Sequence, residues 1–148
     1  MSGRNDMPCG AHVHSLKKYE ILRGRKAISR LFSSGDSLGS AVIRLLYMTL
    51  PAENGCRRSL PKVLFVVGKK KRPRAVDRNR IKRLMKEAYR YEKQLAMQCA
   101  KRHASEEDAL LCMALVYTGK KLEIPSAGRF RKEVRFLLEG LLKAPSQG

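Results

Sequence analysis

The segment from Lys69 to Arg90 constrains the fold most, because it combines high charge with a regular apolar phase. Eleven of its 22 residues are Lys or Arg, and only Asp77 and Glu87 carry the opposite charge. On a helix of about 100° per residue, one side collects an apolar stripe and the opposite side collects an arc of polar and basic residues. The stripe consists of Ile81, Leu84, Met85, Ala88 and Leu95, and the arc of Asn79, Lys82, Arg83, Lys86 and Arg90. This phase relation predicts a folded helix with a buried back, not a loose basic tail.

The start of this helix carries further signals. Asp77 is the predicted N-cap, and Val76 and Ile81 have the spacing of a hydrophobic staple. Asn79 has two interpretations: its amide contacts a ribose, a base edge or an ordered water, or it makes a local hydrogen bond at the helix start. The upstream run KKKRPR either contacts phosphates or serves as a solubilising segment.

Composition narrows the class of partner. The chain of 148 residues is one domain by size and is 43% hydrophobic, which is enough to fold. Its 32 Lys and Arg against 13 Asp and Glu give a formal charge of +19. Such a field favours nucleic acid, ahead of an anionic membrane or an acidic protein. No apolar run has the length of a signal peptide or a membrane span, and the four cysteines form no CxxC pair, so we expect a cytoplasmic protein with reduced thiols.

Three apolar segments predict strands. Residues 41–50 and 62–68 are β-rich, and the turn-forming residues between them predict an antiparallel hairpin. Residues 109–117 are apolar at every position, which predicts a strand in the interior of a sheet.

Two further helices complete the predicted domain. Residues 23–34 have helical spacing before Gly35, and a last helix after IPSAG carries an apolar stripe from Phe130 to Leu141. The predicted order is α-β-β-α-β-α, an α+β, single-domain sandwich in which helices pack on a small sheet. We expect a flexible N-terminal segment at 1–19, the folded domain at 20–143 and a frayed tail at 144–148.

The sequence contains no recognisable catalytic or metal-binding set. Cys9, His12 and His14 lie close together in the sequence. They belong to a polar N-terminal segment, however, where we expect no surrounding hydrogen bonds to orient metal ligands. His103 ends a basic helix, and no Ser/His/Asp or Cys/His arrangement is recognisable. We therefore expect no catalytic residue and no bound metal or cofactor in the protein itself.

The segment AVDRNRIKRLMKEAYR resembles the RNR motif of the protein subunit of bacterial ribonuclease P. RKAISRLFSSG is similar to the first helix of that family, LLYMTL and KVLFVVGKKK are similar to its strands, and the last strand and helix follow, so the resemblance covers roughly residues 20–142. It implies an accessory subunit of an endoribonuclease that removes the 5′ leader of precursor tRNA. The catalysis is carried out by an RNA with Mg²⁺ at its own site, and the protein alone is inactive.

The resemblance also implies site residues and a topology. The partners would be the ribonuclease P RNA and precursor tRNA, with no membrane and no obligate protein partner. The implied RNA-binding residues are Lys69, Lys70, Lys71, Arg72, Arg74, Arg78, Asn79, Arg80, Lys82, Arg83, Lys86 and Arg90. The implied groove for the leader contains Phe32, Tyr47, Phe65 and Val67. Family members usually carry a second aromatic one turn before Phe32, where this chain has Ile28, and their βαβ crossover is left-handed.

Two alternatives stay open at this point. A generic structural RNA-binding protein of the ribosomal type has the same composition, and only the RNR motif argues against it. Phe32 either stacks on a base of the leader or packs in the core beside Leu31. A DNA-reading helix is disfavoured, because the arc holds many phosphate ligands and few base-reading side chains.

Overall fold

The computed structural model describes residues 20–51, 61–69, 72, 74–103, 109–120 and 123–144. Their elements, in chain order, are α1 (Arg25–Ser34), β1 (Asp36–Gly39), β2 (Ile43–Pro51), β3 (Lys62–Val66), α2 (Ala75–Tyr91), α3 (Lys93–His103), β4 (Ala109–Tyr117) and α4 (Ala127–Lys143). The predicted α+β class and element order are confirmed. The predicted flexible segment 1–19 lies outside the described residues, as do the turn at 52–60 and the tail beyond Ala144.

The four strands form one sheet in the order β1-β2-β4-β3. β4 lies in the interior, as its apolar sequence predicts, paired antiparallel to β2 and parallel to β3. The predicted hairpin between β2 and β3 is wrong, because β4 lies between them. At the edge of a sheet, a strand that is apolar at every position would leave apolar surface exposed to water. Burial on both faces therefore favours a central position for β4.

The two faces of the sheet carry alternate residues of each strand and belong to separate apolar clusters. The larger cluster, the main core, contains Tyr47 of β2, Phe65 of β3 and Met113 of β4, and it is covered by α2, α3 and α4. The smaller cluster lies on the other face, where Leu31 of α1 packs with Leu110 and other even-numbered residues. We call this second surface the α1 face. Among the described helices, α1 is the one that packs against it.

Two features of the elements were not predicted. The short strand β1 adds to the edge of the sheet by pairing antiparallel to β2. The long helix predicted from the basic segment is divided at Glu92, whose backbone leaves the helical region (φ −103°, ψ 19°). Distant partners hold the side chains at the break: Glu92 accepts from Arg131 at 3.0 Å, and the buried Lys93 donates to Glu20 at 2.9 Å.

The predicted start of α2 is wrong by three residues. The helix begins at Ala75 with Arg74 as its N-cap residue, and Arg74 makes no capping side-chain hydrogen bond. Asp77 therefore lies inside the first turn, where a carboxylate still complements the positive helix end. Val76 is 68% exposed, so it forms no hydrophobic staple with the buried Ile81.

A buried carboxylate ties α4 to the turn between β1 and β2. Glu133 accepts from the Ser40 hydroxyl, from the Val42 amide at 3.0 Å and from Arg129 Nε at 2.9 Å. Burial raises the pKa of Glu133, but the hydrogen bonds from Ser40, Val42 and Arg129 outweigh this effect and hold the pKa below its ordinary value. Among the described helices, none has the length and apolar content of a membrane span.

We predict that Glu133→Gln lowers the free energy of unfolding by about 1–3 kcal/mol at pH 7, since one of the three donors then loses its acceptor. The folded-state pKa lies below the unfolded value, so the carboxylate stabilises the fold fully above the unfolded value. That contribution is lost as the pH falls through the folded-state value. Urea unfolding from pH 7 down to pH 3 should therefore show a weaker acid dependence in Glu133→Gln than in the wild type.

Glu139→Gln is the matched control for this measurement. Glu139 lies on the same helix, but its side chain is 51% exposed and its ion pair with Arg135 is long, at 3.7 Å. Exposed pairs of this kind contribute less than about 1 kcal/mol. Equal effects of the two substitutions, or an unchanged acid dependence in Glu133→Gln, would contradict the role given to Glu133.

Candidate nucleic-acid interface

Helix α2 is anchored by the side that its sequence predicts. Ile81 and Met85 are fully buried, Ala88 is nearly so, and Leu84 packs against the same core from its border. Tyr89, which the predicted stripe did not include, is also fully buried and meets the ring of Phe65 edge-on at 5.9 Å. The back of the helix is therefore fixed to the sheet, and its opposite side is fixed toward solvent.

The solvent side of α2 and the residue before it carry cations without acidic partners. Four cations are exposed and form no ion pair with a described residue: Arg74, Arg80, Arg83 and Lys86. Lys82 is half-buried and also lacks such a pair, whereas Arg90 pairs with Glu87 at 3.4 Å. We call these cations, with Asn79, the α2 arc.

Asn79 is exposed, and its amide has no hydrogen bond to a described residue. The local hydrogen bond that its position in the first turns allowed is therefore not formed. Both the donor and the acceptor of the amide are available to a ligand.

The arginines of α4 are arranged in the opposite way. Arg131 and Arg135 both reach Glu92, at 3.0 and 3.9 Å, and Arg129 pairs with Glu133. Arg131 also lies over the ring of Tyr91, 4.6 Å from its centroid. The described arginines of α4 thus have partners within the protein, whereas most cations of α2 face solvent without one. Lys132 of α4 and Arg25, Lys26 and Arg30 of α1 are also exposed without an ion pair to a described residue, so the contrast between α2 and α4 concerns their arginines.

Arg72 and Arg78 differ from their neighbours in the predicted RNA-binding set. Arg72 is only 6% exposed, and its guanidinium lies against Tyr117, so its predicted place on the exposed basic surface is wrong. Burial beside an aromatic ring and hydrogen-bond acceptors withdraws it from any ligand on that surface. Arg78 is half-buried and donates to the Arg72 carbonyl at 2.8 Å. Lys69 is exposed, and Lys70 and Lys71 lie outside the described residues.

Three of the four predicted groove residues lie in the main core. Tyr47, Phe65 and Val67 are each at most 7% exposed, and the Tyr47 ring meets that of His103 at 5.7 Å. The structure therefore contradicts their predicted position in an open groove, because the alternation of β2 and β3 turns them toward the helices. Phe32 is 46% exposed, so the alternative that it is a core residue is also wrong.

The α1 face is the more open surface of the sheet. Half-buried apolar side chains lie on it from three strands: Leu46, Met48, Leu64 and Val116. Ile28 of α1 packs against the same cluster, and Phe32 lies one helical turn after it on the same side of the helix. The exposed Phe32 ring therefore borders this face.

Two strand cations also belong to the α1 face. Arg44 pairs in register with Val116 and Lys62 with Cys112, so both side chains share the face of those residues. Neither cation was predicted from the sequence, although Arg44 is a usable signal. A single charge in an apolar strand favours the solvent side, which would have placed Tyr47, three residues later, on the covered side.

The described residues offer binding chemistry, and no catalytic set is recognisable among them. Within the described ranges, no three His, Cys, Asp or Glu residues are close enough to form a metal site. The predicted Cys9, His12 and His14 cluster lies outside these ranges. What the described site provides is a row of fixed cations and an apolar face bordered by an exposed aromatic ring.

Fold and surface together define a small basic α+β protein with a helix suited to a polyanion. Residues 16–139 match the family model described as Ribonuclease P. The chain is 44% identical to the ribonuclease P protein component of Chlorobaculum tepidum over 88% of this chain and 84% of the relative. It is 38% identical to that of Chlorobium phaeobacteroides over 93% and 94% of the two chains. The chain belongs to the ribonuclease P protein component family.

Solved structures support the same fold. The RNase P protein from Thermotoga maritima aligns with a TM-score of 0.58 at 20% identity, covering 82% of this chain and 96% of that chain. The Staphylococcus aureus RNase P protein aligns with a TM-score of 0.55 at 12% identity, covering 81% and 93%. At these identities the likeness concerns the fold alone.

We predict that binding of a folded RNA by this protein depends steeply on salt. Five or more phosphate contacts give a slope of log K against log salt concentration of roughly −4 or steeper. Arg83→Ala should make that slope shallower by about one unit, because it removes one unpaired cation from the α2 arc. Filter binding at several salt concentrations measures the slope.

Arg135→Ala is the matched control, since Arg135 is 64% exposed but is paired with Glu92 and Glu139. It should leave the slope close to that of the wild type. A flat salt response of the wild type, or an equal loss of slope in both variants, would argue against the α2 arc as the phosphate-binding surface.

Proposed function

We propose that this protein is the protein subunit of a ribonuclease P ribonucleoprotein and assists removal of the 5′ leader from precursor tRNA. The catalytic RNA binds along the α2 arc, and the single-stranded leader lies across the α1 face. The protein contributes binding and electrostatic stabilisation, and the hydrolysis with its Mg²⁺ belongs to the RNA. The complex acts in the cytoplasm.

The observation that carries this proposal is the unequal pairing of the arginines on α2 and α4. Like charges about one turn apart repel each other, which opposes folding of the free protein. RNA phosphates relieve that repulsion and release their counterions on binding. The arginines of α4 have acidic partners within the protein, whereas Arg80 and Arg83 of α2 have none among the described residues. The α2 arc therefore has the charge distribution of a polyanion-binding surface.

The α1 face suits a single strand better than a duplex. Its side chains are aliphatic, with Phe32 as the exposed aromatic and with Arg44 and Lys62 as nearby cations. Unpaired bases stack on aromatic and apolar side chains while cations follow the backbone. Because Ile28 replaces the aromatic that is usual in the family, we propose that the leader makes one stacking contact here, with Phe32.

Reconstitution tests the proposed activity. The protein alone should leave precursor tRNA intact, and the protein with a bacterial ribonuclease P RNA should cleave it at Mg²⁺ concentrations at which the RNA alone is nearly inactive. Gel analysis of 5′-labelled precursor measures both reactions. Leader removal by RNA-free protein, or no stimulation of the RNA, would refute the proposal. Equal affinity for ribosomal RNA would instead favour a generic structural RNA-binding protein.

Phe32→Leu tests the α1 face. Loss of one stacking contact of about 1–3 kcal/mol should weaken binding of leader-bearing precursor tRNA to the reconstituted complex by about fivefold or more. Binding of mature tRNA should not change, since it lacks the leader. Because Phe32 is about half exposed, thermal stability should also change little.

Phe65→Leu is the matched control, since Phe65 is 7% exposed in the main core. It should lower the melting temperature while leaving the ratio of precursor to mature tRNA affinity unchanged. If Phe32→Leu weakens both tRNAs equally, Phe32 does not contact the leader.

A further inference from the structure

One cation of the basic segment is buried. The Arg72 side chain is 6% exposed, and its Nη2 atom lies 3.4 Å from the Tyr117 hydroxyl and 3.4 Å from the Glu123 carbonyl oxygen. Its guanidinium carbon lies 5.9 Å from the centroid of the Tyr117 ring. A buried guanidinium is unfavourable unless acceptors and a polarisable surface replace its hydration. Arg72 therefore occupies a specific receptor site in the protein.

The receptor is built at the end of the central strand. Tyr117 is the last residue of β4, it is 2% exposed, and its ring lies 6.1 Å from that of Phe130 on α4. The backbone at Gly119 closes over the hydroxyl, since a Cβ there would come within 2.3 Å of the Tyr117 oxygen. The Tyr117 side chain is thus enclosed by the Phe130 ring on one side and by the Gly119 backbone on the other.

The backbone of Arg72 connects this receptor to α2. The Arg72 amide donates to the Gly68 carbonyl at 3.1 Å, just after β3, and the Arg72 carbonyl accepts from Arg78 at 2.8 Å. One residue thus joins the end of β3, the end of β4 and the first turns of α2. Of the described basic residues of the segment, Arg72 is the one that joins all three.

We propose that Arg72 is a positioning residue for RNA binding, which acts through Arg78 and the first turns of α2 and does not itself contact phosphate. The proposal rests on the proposed function of the α2 arc. The Arg72 guanidinium holds Arg72 against Tyr117. This contact sets the position and rotation of the first turns of α2, and so the direction in which Asn79 and Arg80 face the RNA. A phosphate contact weakens steeply with distance, so loosening this lock lowers affinity without removing any exposed charge.

A double-mutant cycle in RNA affinity tests the proposal. The affinity of a bacterial ribonuclease P RNA is measured for Tyr117→Phe, Arg72→Met and the double variant, with thermal unfolding and circular dichroism as folding checks. Tyr117→Phe removes only a buried hydroxyl, yet it should weaken RNA binding by about fivefold, and Arg72→Met should weaken it by about tenfold. The double variant should be no weaker than Arg72→Met, because both changes remove one shared interaction.

Arg83→Ala is the control for coupling. Combined with Tyr117→Phe it should give the product of the two single effects, because Arg83 lies on the exposed side of α2 and has no contact with Tyr117. If Tyr117→Phe binds the RNA with wild-type affinity, the proposal is overturned, whether or not Arg72→Met folds. Independent, multiplying effects of Tyr117→Phe and Arg72→Met would also overturn it.

A different result would refute the proposed function of the α2 arc itself. If Arg83→Ala binds the RNA as tightly as the wild type, the α2 arc is not the RNA surface, and both proposals are wrong. If Arg83→Ala weakens binding while Arg72→Met only lowers the salt slope by about one and Tyr117→Phe has no effect, Arg72 leaves its site to contact phosphate. In that case only the positioning role is refuted.

Discussion

The pairing of β4 on both of its edges decides where the functional surfaces lie. β4 is hydrogen-bonded to antiparallel β2 on one side and to parallel β3 on the other. Two parallel neighbours cannot be joined by a tight turn, so the chain must cross a face of the sheet between them. The crossing segment here contains α2 and α3. The basic helix is therefore packed against the main core, and the opposite face is covered only by α1 among the described helices.

The distribution of ion pairs separates charges that serve the fold from charges available to a ligand. Glu92 lies at the break between α2 and α3 and forms ion pairs with two arginines of α4, while Glu133 holds α4 to the turn before β2. These carboxylates pair with the three arginines of α4. The α2 arc has one acidic partner among the described residues, Glu87, which pairs with Arg90. A phosphate backbone is the ligand that complements such an arc. The buried Arg72 fixes the position of the arc relative to the sheet.

Local patterns predicted much of this arrangement. The 3.6-residue period identified the buried side of α2 through Ile81 and Met85, and the apolar sequence of β4 identified an interior strand. Strand partners could not be predicted, because β3 is apolar on both faces and its sequence does not state its neighbour. The break at Glu92 and the burial of Arg72 depend on partners 39 and 45 residues away, Arg131 and Tyr117. The groove residues Tyr47, Phe65 and Val67 were misplaced because they were taken from the family resemblance and not from the strand pattern, in which the single charge of Arg44 indicated the opposite orientation of β2.

Arginine footprinting by mass spectrometry tests most directly whether unpaired cations on α2, and not paired cations on α4, hold the RNA. Phenylglyoxal modification is compared in the free protein and in its complex with a bacterial ribonuclease P RNA. Arg80 and Arg83 should be modified readily in the free protein and protected in the complex, while Arg131 and Arg135 react at similar rates in both. Protection of Arg131 and Arg135, with Arg80 and Arg83 still reactive, would contradict the account.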